Sequence, residues 1–257
     1  MANNLVLDVP MMLPHAPYRQ ILAMRHRGRR EWPERAMTRT FPRARLIRMT
    51  TATFGQRQFA RWYPGFMARV DRAGQADVRR TQLAHAHGRT LEIGVGNGLS
   101  LPNYPDDLEE LVLLEPNPAL RDQLATRDDA PDIPVTIVDG DAHDLDFPDA
   151  DFDTATASLV FCSLRDPARA LGELHRVLRP GGRFLFHEHV RGTGLRGTIQ
   201  DLATPLQRRL ADGCHANRDF ESLLEASDFE VTEIEHTRMP TMMPTIVPLV
   251  VGTARRR

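Results

Sequence analysis

Short apolar segments alternate with longer amphipathic segments from about residue 89 onward. The apolar segments have the length of buried strands, and they cover residues 90–93, 111–114, 135–138, 152–158 and 184–190. The clearest amphipathic segment predicts a helix over residues 167–179, whose apolar face is formed by Leu171, Leu174 and Leu178. This alternation predicts an α/β fold in which a mostly parallel sheet is covered by helices on both faces.

The C-terminal part of the chain departs from this alternation. A helix is predicted over residues 218–227, and residues 229–236 then alternate between apolar and polar with a period of two. Residues 248–253 form a last apolar run. Two late strands joined by a loop predict an antiparallel hairpin at the end of the sheet.

The N-terminal part of the chain differs from the rest. Residues 1–48 contain five prolines and scattered arginines without a sustained apolar period, which predicts a disordered arm. Between residues 54 and 83, apolar side chains recur at three- and four-residue steps, which predicts one or two helices. We therefore divide the chain into a basic arm, residues 1–48, and a domain, residues 49–257.

The composition is that of an ordinary globular protein, with 41% hydrophobic and 26% charged residues. Its two cysteines exclude a disulfide framework, and no apolar run reaches the ~18 residues of a membrane span, so we expect a cytoplasmic protein. Residues 1–90 carry 17 arginines against five acidic residues. The chain has no lysine, so arginine fills every cationic position, which points to a coding bias and weakens the case for an anionic partner. We therefore favour a solvated arm. Peripheral contact with an anionic membrane is the alternative, and nucleic acid is not expected.

Three glycines, Gly94, Gly96 and Gly98, follow the first predicted strand, and Glu92 lies two residues before them. Glycines at this spacing let the backbone turn sharply and approach a ligand closely. Glu115 follows the second predicted strand, where a carboxylate accepts hydrogen bonds from a ribose. A dinucleotide site needs a further glycine at the position of Leu99. The pattern therefore indicates a different nucleoside cofactor.

With three later segments, residues 138–145, 151–164 and 176–190, the chain resembles the S-adenosylmethionine-dependent methyltransferases with a Rossmann-like fold. It is most similar to the methyltransferase-like thiol methyltransferases and the quinone-biosynthesis methyltransferases, through the motifs LEIGVGNG, LEPNP, SLVFCSL, RVLRPGG, EHV and ADGCHANRDF. The resemblance covers residues from about 58 to 254. The chain differs from that family in lacking an apolar N-terminal anchor, in Val95 in place of a common cysteine, and in Glu115 in place of the usual aspartate.

The resemblance implies S-adenosylmethionine as cofactor and a set of residues that hold it. The cofactor-binding residues that it implies are Glu92, Gly94, Gly96, Gly98, Glu115, Pro116, Asp141, Ala142 and Ser158. Asp141 and Ala142 occupy the positions that approach adenine in this family. The resemblance also implies that Asp212, Cys214 and His215 face the acceptor, because methyltransferases often place substrate residues after the fifth strand.

Three titratable residues, His187, Glu188 and His189, lie at the carboxyl end of the fifth predicted strand, the edge at which open α/β sheets bind ligands. They are the candidate catalytic residues, as a base or an acceptor contact, and structural hydrogen bonding is the alternative. Two histidines could bind a metal, but no third ligand has a recognisable spacing, so no metal centre is predicted.

These features predict an enzyme that transfers a methyl group from S-adenosylmethionine to a small-molecule acceptor. A thiol is the favoured acceptor and a phenol or quinone precursor comes next. One alternative is a macromolecular methyltransferase that docks RNA or protein through the arm, and another is a cofactor-binding protein without catalysis. The oligomeric state stays open at this level.

Overall fold

The computed structural model describes residues 51–240 and 247–257, and the predicted arm, residues 1–48, lies outside this part of the chain. Within these residues the sheet has seven strands, which are β1 Arg89–Ile93, β2 Glu110–Leu114, β3 Val135–Val138, β4 Phe152–Ser158, β5 Leu178–His189, β6 Phe229–Arg238 and β7 Pro248–Arg256. Their order across the sheet is β3-β2-β1-β4-β5-β7-β6. Strands β1 to β5 are parallel, whereas β7 is antiparallel to both β5 and β6. The predicted mostly parallel sheet with a C-terminal antiparallel hairpin is confirmed.

Helices surround the sheet and connect most of the strands. The longest, α1, covers Phe54–Val70, and a π-helical turn over Asp71–Gln75 joins it to α2. Of the one or two helices predicted before the sheet, two are present. The remaining helices are α2 Ala76–Leu83, the 3-10 turn Leu101–Asn103, α3 Pro118–Leu124, α4 Pro167–Val177, α5 Leu195–Leu210 and α6 Phe220–Glu225.

The two faces of β2 show how the core is divided. Val112 and Leu114 point into a cluster that contains apolar residues of α4 and α6, while Leu111 and Leu113 pack with residues of α2 and α3 on the other face. All four side chains are buried, as expected for a central parallel strand that is covered on both sides. The sheet is thus held rigidly, and its carboxyl edge provides a fixed platform for a binding site.

The structure corrects several predicted boundaries and adds one helix. The two last strands extend past their predicted ends, to Arg238 and Arg256. Helix α4 ends at Val177 instead of residue 179, because Arg179 precedes Pro180 and the α conformation is disfavoured before proline. Leu178 is instead the extended first residue of β5, which therefore begins before residue 184. Helix α6 is shorter than the predicted 218–227. Helix α5 was not predicted, since Pro205 interrupts its pattern.

Among the described residues, no helix combines the length and the apolar character needed to cross a bilayer.

Candidate cofactor and acceptor site

The glycine turn after β1 builds the floor of the candidate site. Gly94, Gly96 and Gly98 all have positive φ, at 61°, 62° and 83°. A Cβ on Gly98 would lie 2.5 Å from Cδ1 of Leu124, so a larger residue would collide as well as strain the backbone. A Cβ on Gly96 would instead point into space in which the nearest atom, a ring carbon of Tyr63, lies 3.8 Å away. The backbone of the turn therefore borders an open space beside Gly96, which we call the cradle.

Glu115, directly after β2, is fixed beside this turn. Its Oε2 accepts a hydrogen bond from the backbone N–H of Gly96 at 2.8 Å, and its Oε1 accepts one from that of Asn117 at 2.8 Å. Burial raises its pKa to about 7, against the opposing effect of these two donors. Glu115 is thus a buried acceptor next to the cradle, where the sequence placed a ribose ligand.

Glu92, in β1, is also buried, and it accepts hydrogen bonds from Ser100 Oγ at 2.6 Å and from the Tyr104 hydroxyl at 3.1 Å. Burial raises its pKa to about 7. It lines the same cleft as Gly94 and Ser158. Glu92 therefore lies where the sequence predicted it, and its partners belong to the turn that follows the glycines.

Two further residues of the cleft, Tyr63 on α1 and Arg79 on α2, were missed by the sequence analysis. Tyr63 is half-buried and Arg79 is buried, and Arg79 Nη1 donates to both oxygens of Asp71 at 2.7 and 2.8 Å. Neither belongs to a motif, because they come from the helices before the sheet. Helix α1 also contacts α3, where Gln123 Nε2 donates to the carbonyl of Ala60 at 2.8 Å. These helices cover the glycine turn.

The two positions predicted to approach adenine differ in burial, since Asp141 is half exposed and Ala142 is buried. The carboxylate of Asp141 accepts from the backbone N–H of His143 at 3.0 Å, and it also contacts the His143 ring. Ala142 is buried in the core beneath it, and Pro116 is exposed at the neighbouring strand end. The structure therefore brings Asp141 and Pro116 to the same carboxyl edge as Glu115.

His187 is completely buried and both of its ring nitrogens have partners. Its Nε2 lies 2.7 Å from Nε2 of Gln75, and its Nδ1 lies 3.2 Å from Oγ of Ser158. Burial, together with the nearby charge of Arg79, lowers its pKa to about 3. A neutral histidine held from both sides fits structural positioning, which is the alternative that the sequence left open, and this geometry does not support a role as base.

Glu188 points to the opposite face of β5 and holds the loop after β4. Its Oε1 accepts from the backbone N–H of Val160 at 2.8 Å, and the N–H groups of Phe161 and Cys162 also stabilise its charge. Burial raises its pKa to about 7. Glu188 therefore fixes the loop that packs against Gly94, and the geometry supports positioning in preference to acceptor contact.

The predicted acceptor segment joins this edge through its cysteine. Cys214 Sγ lies 3.8 Å from Nδ1 of His189, and the backbone N–H of His215 donates to the carbonyl of Cys162 at 2.8 Å. Asp212 is close enough to Glu115 for its charge to raise the pKa of that carboxyl. The structure thus brings Asp212, Cys214 and His215 together with His189 at the edge where the cofactor residues lie.

Known proteins share this architecture. A family model described as a methyltransferase domain matches residues 91–186. Phosphatidylethanolamine N-methyltransferase of Cereibacter sphaeroides is 30% identical over 178 residues, which cover 60% of this chain and 78% of the relative. The chain belongs to the S-adenosylmethionine-dependent methyltransferases. Its cofactor is S-adenosylmethionine, as the sequence predicted.

Other relatives of this methyltransferase act on different acceptors. Thiol S-methyltransferase TMT1A of Homo sapiens is 27% identical over 212 residues, which cover 76% of this chain and 86% of the relative, and demethylmenaquinone methyltransferases also match. An S-adenosylmethionine-dependent methyltransferase from Mesorhizobium loti shares the fold, with a TM-score of 0.53 at 20% identity, covering 73% of this chain and 100% of that chain. The predicted family and fold are confirmed.

The residues of the cleft fit the cofactor. Glu115 offers a buried carboxylate for the ribose hydroxyls, and the open cradle above Gly96 leaves room for the chain that joins ribose and sulfonium. Arg79 brings a buried positive charge to the same cleft, which suits a carboxylate. We assign these roles from the donors and acceptors present, and the predicted cofactor residues stay predictions until they are substituted.

Proposed function

We propose that this methyltransferase transfers the methyl group of S-adenosylmethionine to the sulfur of a small thiol. The proposal rests on the contacts that the three candidate bases, His187, Glu188 and His189, already make within the protein. Both ring nitrogens of His187 and the Oε1 atom of Glu188 already have partners, and His189 lies against the sulfur of Cys214. An acceptor that loses its proton without a strong base suits such a site.

The acidity of the competing acceptors supports this choice. A thiol with a pKa near ~8.5 is already a few per cent ionised at neutral pH, whereas a phenol near ~10 or an alkyl amine near ~10.4 is far less often in its reactive form. The relationship to TMT1A agrees with a thiol. Phenols, quinone precursors and the amine of a phospholipid are the competing acceptors.

The chain's own contribution is binding and alignment. S-Adenosylmethionine supplies an electrophilic methyl group on its sulfonium. Glu115 and the glycine turn fix the cofactor, Tyr63 and helix α1 cover the cleft from solvent, and the acceptor enters from the side of Asp212 and Cys214. In-line placement of this kind supplies up to ~7 to 11 kcal/mol of a displacement barrier.

We propose a small-molecule partner because α1 and α2 cover the cleft, which leaves little room for a folded macromolecule. Within this proposal the chain needs no nucleic acid. The cytoplasmic location and a membrane contact through residues 1–48 stay predictions.

A screen of acceptors with methyl-labelled S-adenosylmethionine tests the proposal. Small thiols, phenols, quinols and a phosphatidylethanolamine vesicle are compared at equal concentration, and we expect the largest kcat/KM for a thiol. The rate should rise with pH as the bound thiol loses its proton. Turnover of the amine or a phenol with thiols inert would refute the acceptor, and binding without turnover of any acceptor would refute the function.

A further inference from the structure

Three side chains with soft or borderline metal-ligand atoms meet beside the cofactor cleft. The sulfurs of Cys162 and Cys214 and a ring nitrogen of His189 all lie within 4.8 Å of one another, and all three residues are buried. The distance from Cys214 Sγ to His189 Nδ1 is 3.8 Å. These are the only two cysteines of the chain, and the fold brings both to one point.

The backbone around this cluster is built to hold the two cysteines in place. Cys162 lies in the loop that Glu188 fixes, and the N–H of His215 donates to the carbonyl of Cys162 at 2.8 Å, so the two cysteine loops are joined directly. Asp212 and Gly213 both have positive φ, which folds the chain tightly after α5 and turns Cys214 inward. Such a pre-formed arrangement does not depend on the metal to bring its ligands together.

We propose that Cys162, His189 and Cys214 bind Zn²⁺, with the fourth coordination position left for the acceptor thiol. Two thiolates and an imidazole are ligands that zinc prefers, and Cys₂His with one open position occurs in catalytic zinc sites. With Zn–S near ~2.3 Å and Zn–N near ~2.0 Å, tetrahedral ligands lie about 3.5 to 3.8 Å apart. The 3.8 Å between Cys214 and His189 already matches this spacing.

The charges around the cluster balance such a centre. Two thiolates neutralise Zn²⁺, and an acceptor thiolate at the fourth position would add one negative charge. Arg218 lies close enough to Cys162, Cys214 and Glu188 for their charges to act on it, and it provides the compensating positive charge. Tyr63 connects the cluster to the cleft, since it lines the cleft and is close enough to Cys162 and Glu115 to feel both charges.

The second half of the proposal rests on the proposed thiol acceptor. On coordination the thiol releases its proton to solvent, because a thiol bound to zinc is held as thiolate. Its sulfur then forms a bond to the methyl carbon as the bond from that carbon to the sulfonium breaks. The products are a thioether, which leaves zinc because it is a weak ligand, and S-adenosylhomocysteine. No oxidant or reductant is needed.

Metal analysis of the full chain tests the site without any activity measurement. We expect about one zinc per chain in protein purified without chelator, and cobalt substituted for zinc should give thiolate-to-metal charge-transfer bands with the strong visible absorption of four-coordinate Co²⁺. Since the chain has only two cysteines, these bands identify the site in the wild-type protein itself. Absence of both zinc and the cobalt bands overturns the proposal, whether or not any variant folds.

Variants locate the metal. Cys162→Ser, Cys214→Ser and His189→Asn should each lower zinc content at least severalfold, while His236→Asn, which changes an exposed histidine of β6, should leave it unchanged. Zinc that persists in the double cysteine variant would refute the assignment. Titration of thiols in the unfolded, unreduced protein is a further check. Absence of free thiols in metal-free protein would show a disulfide and overturn the site.

The acceptor half has its own readout. Adding the thiol to the cobalt form should shift its charge-transfer bands, and a phenol should not. If the bands appear but no thiol shifts them, acceptor coordination is wrong although the metal site stands. If the bands shift but labelled thioether never forms, the proposed function fails instead. Full turnover of thiols by metal-free enzyme would refute the role of zinc and leave the proposed function intact.

Discussion

Replacing Glu115 with Gln tests the assignment of the cofactor pocket at a single carboxylate. The substitution keeps the size of the side chain but replaces one acceptor oxygen with an amide that donates. In the structure both oxygens already accept backbone N–H groups at 2.8 Å, from Gly96 and Asn117. The amide group would therefore face a donor, and the ribose would lose a charged acceptor.

The magnitude follows from these bonds. A hydrogen bond to a charged group contributes about 1.5 to 3 kcal/mol, and every 1.4 kcal/mol is a factor of ten in affinity. We expect Glu115→Gln to weaken S-adenosylmethionine binding by about tenfold to a hundredfold, as measured by isothermal titration calorimetry.

Glu110→Gln is the matched control, since Glu110 lies at the other end of β2, away from the cleft. Its Oε2 forms an ion pair with Nε of Arg89 at a distance of 2.9 Å. It should bind the cofactor as the wild type does. Equal affinity of Glu115→Gln and wild type would remove Glu115 from the pocket. An equal loss in both variants would show that the strand had been disturbed, and the reasoning from this carboxylate would be wrong.

Three further expectations concern the site and its stability. Gly98→Ala should lower the free energy of unfolding by more than ~1 kcal/mol, as measured by denaturant titration. Gly172→Ala, at an open position of α4, should instead raise the free energy of unfolding by about 0.5 to 1 kcal/mol. The reverse order would refute the steric argument. Arg79→Met should weaken cofactor binding at least fivefold while Arg80→Met, which removes an exposed neighbour, should not, and equal affinities would exclude Arg79 from the cofactor site. The cofactor-free protein should lose stability as pH rises from about 4.5 to about 7, because Glu92, Glu115 and Glu188 have raised pKa values and favour folding only while protonated. The lowered pKa of His187 acts in the opposite direction, but it is one group against three. A thermal melt that is flat across this range would contradict this balance.

The sheet and its cofactor edge could be predicted from the sequence because their signals are local. Strand length, the period of the apolar residues and the glycine spacing depend on neighbours a few positions apart, and they located β3 and β4 at their observed bounds. Glu115 could be placed for the same reason, since it directly follows an apolar run. Helix α5 escaped prediction because Pro205 contradicts a local pattern that packing tolerates.

The acceptor side depended on the tertiary structure. Cys162, His189 and Cys214 lie far apart along the chain, and only the packing of the loops after β4 and α5 against β5 brings their ligand atoms together. The spacing of residues along the chain could not reveal that Cys162 and Cys214 lie beside His189. It also could not show that Gln75 and Ser158 contact the two ring nitrogens of His187. The sequence by itself determined the fold and the cofactor edge, because hydrophobic periodicity and backbone turns are local. The tertiary structure decided which polar groups are engaged and which remain to meet an acceptor, because that depends on contacts between distant segments.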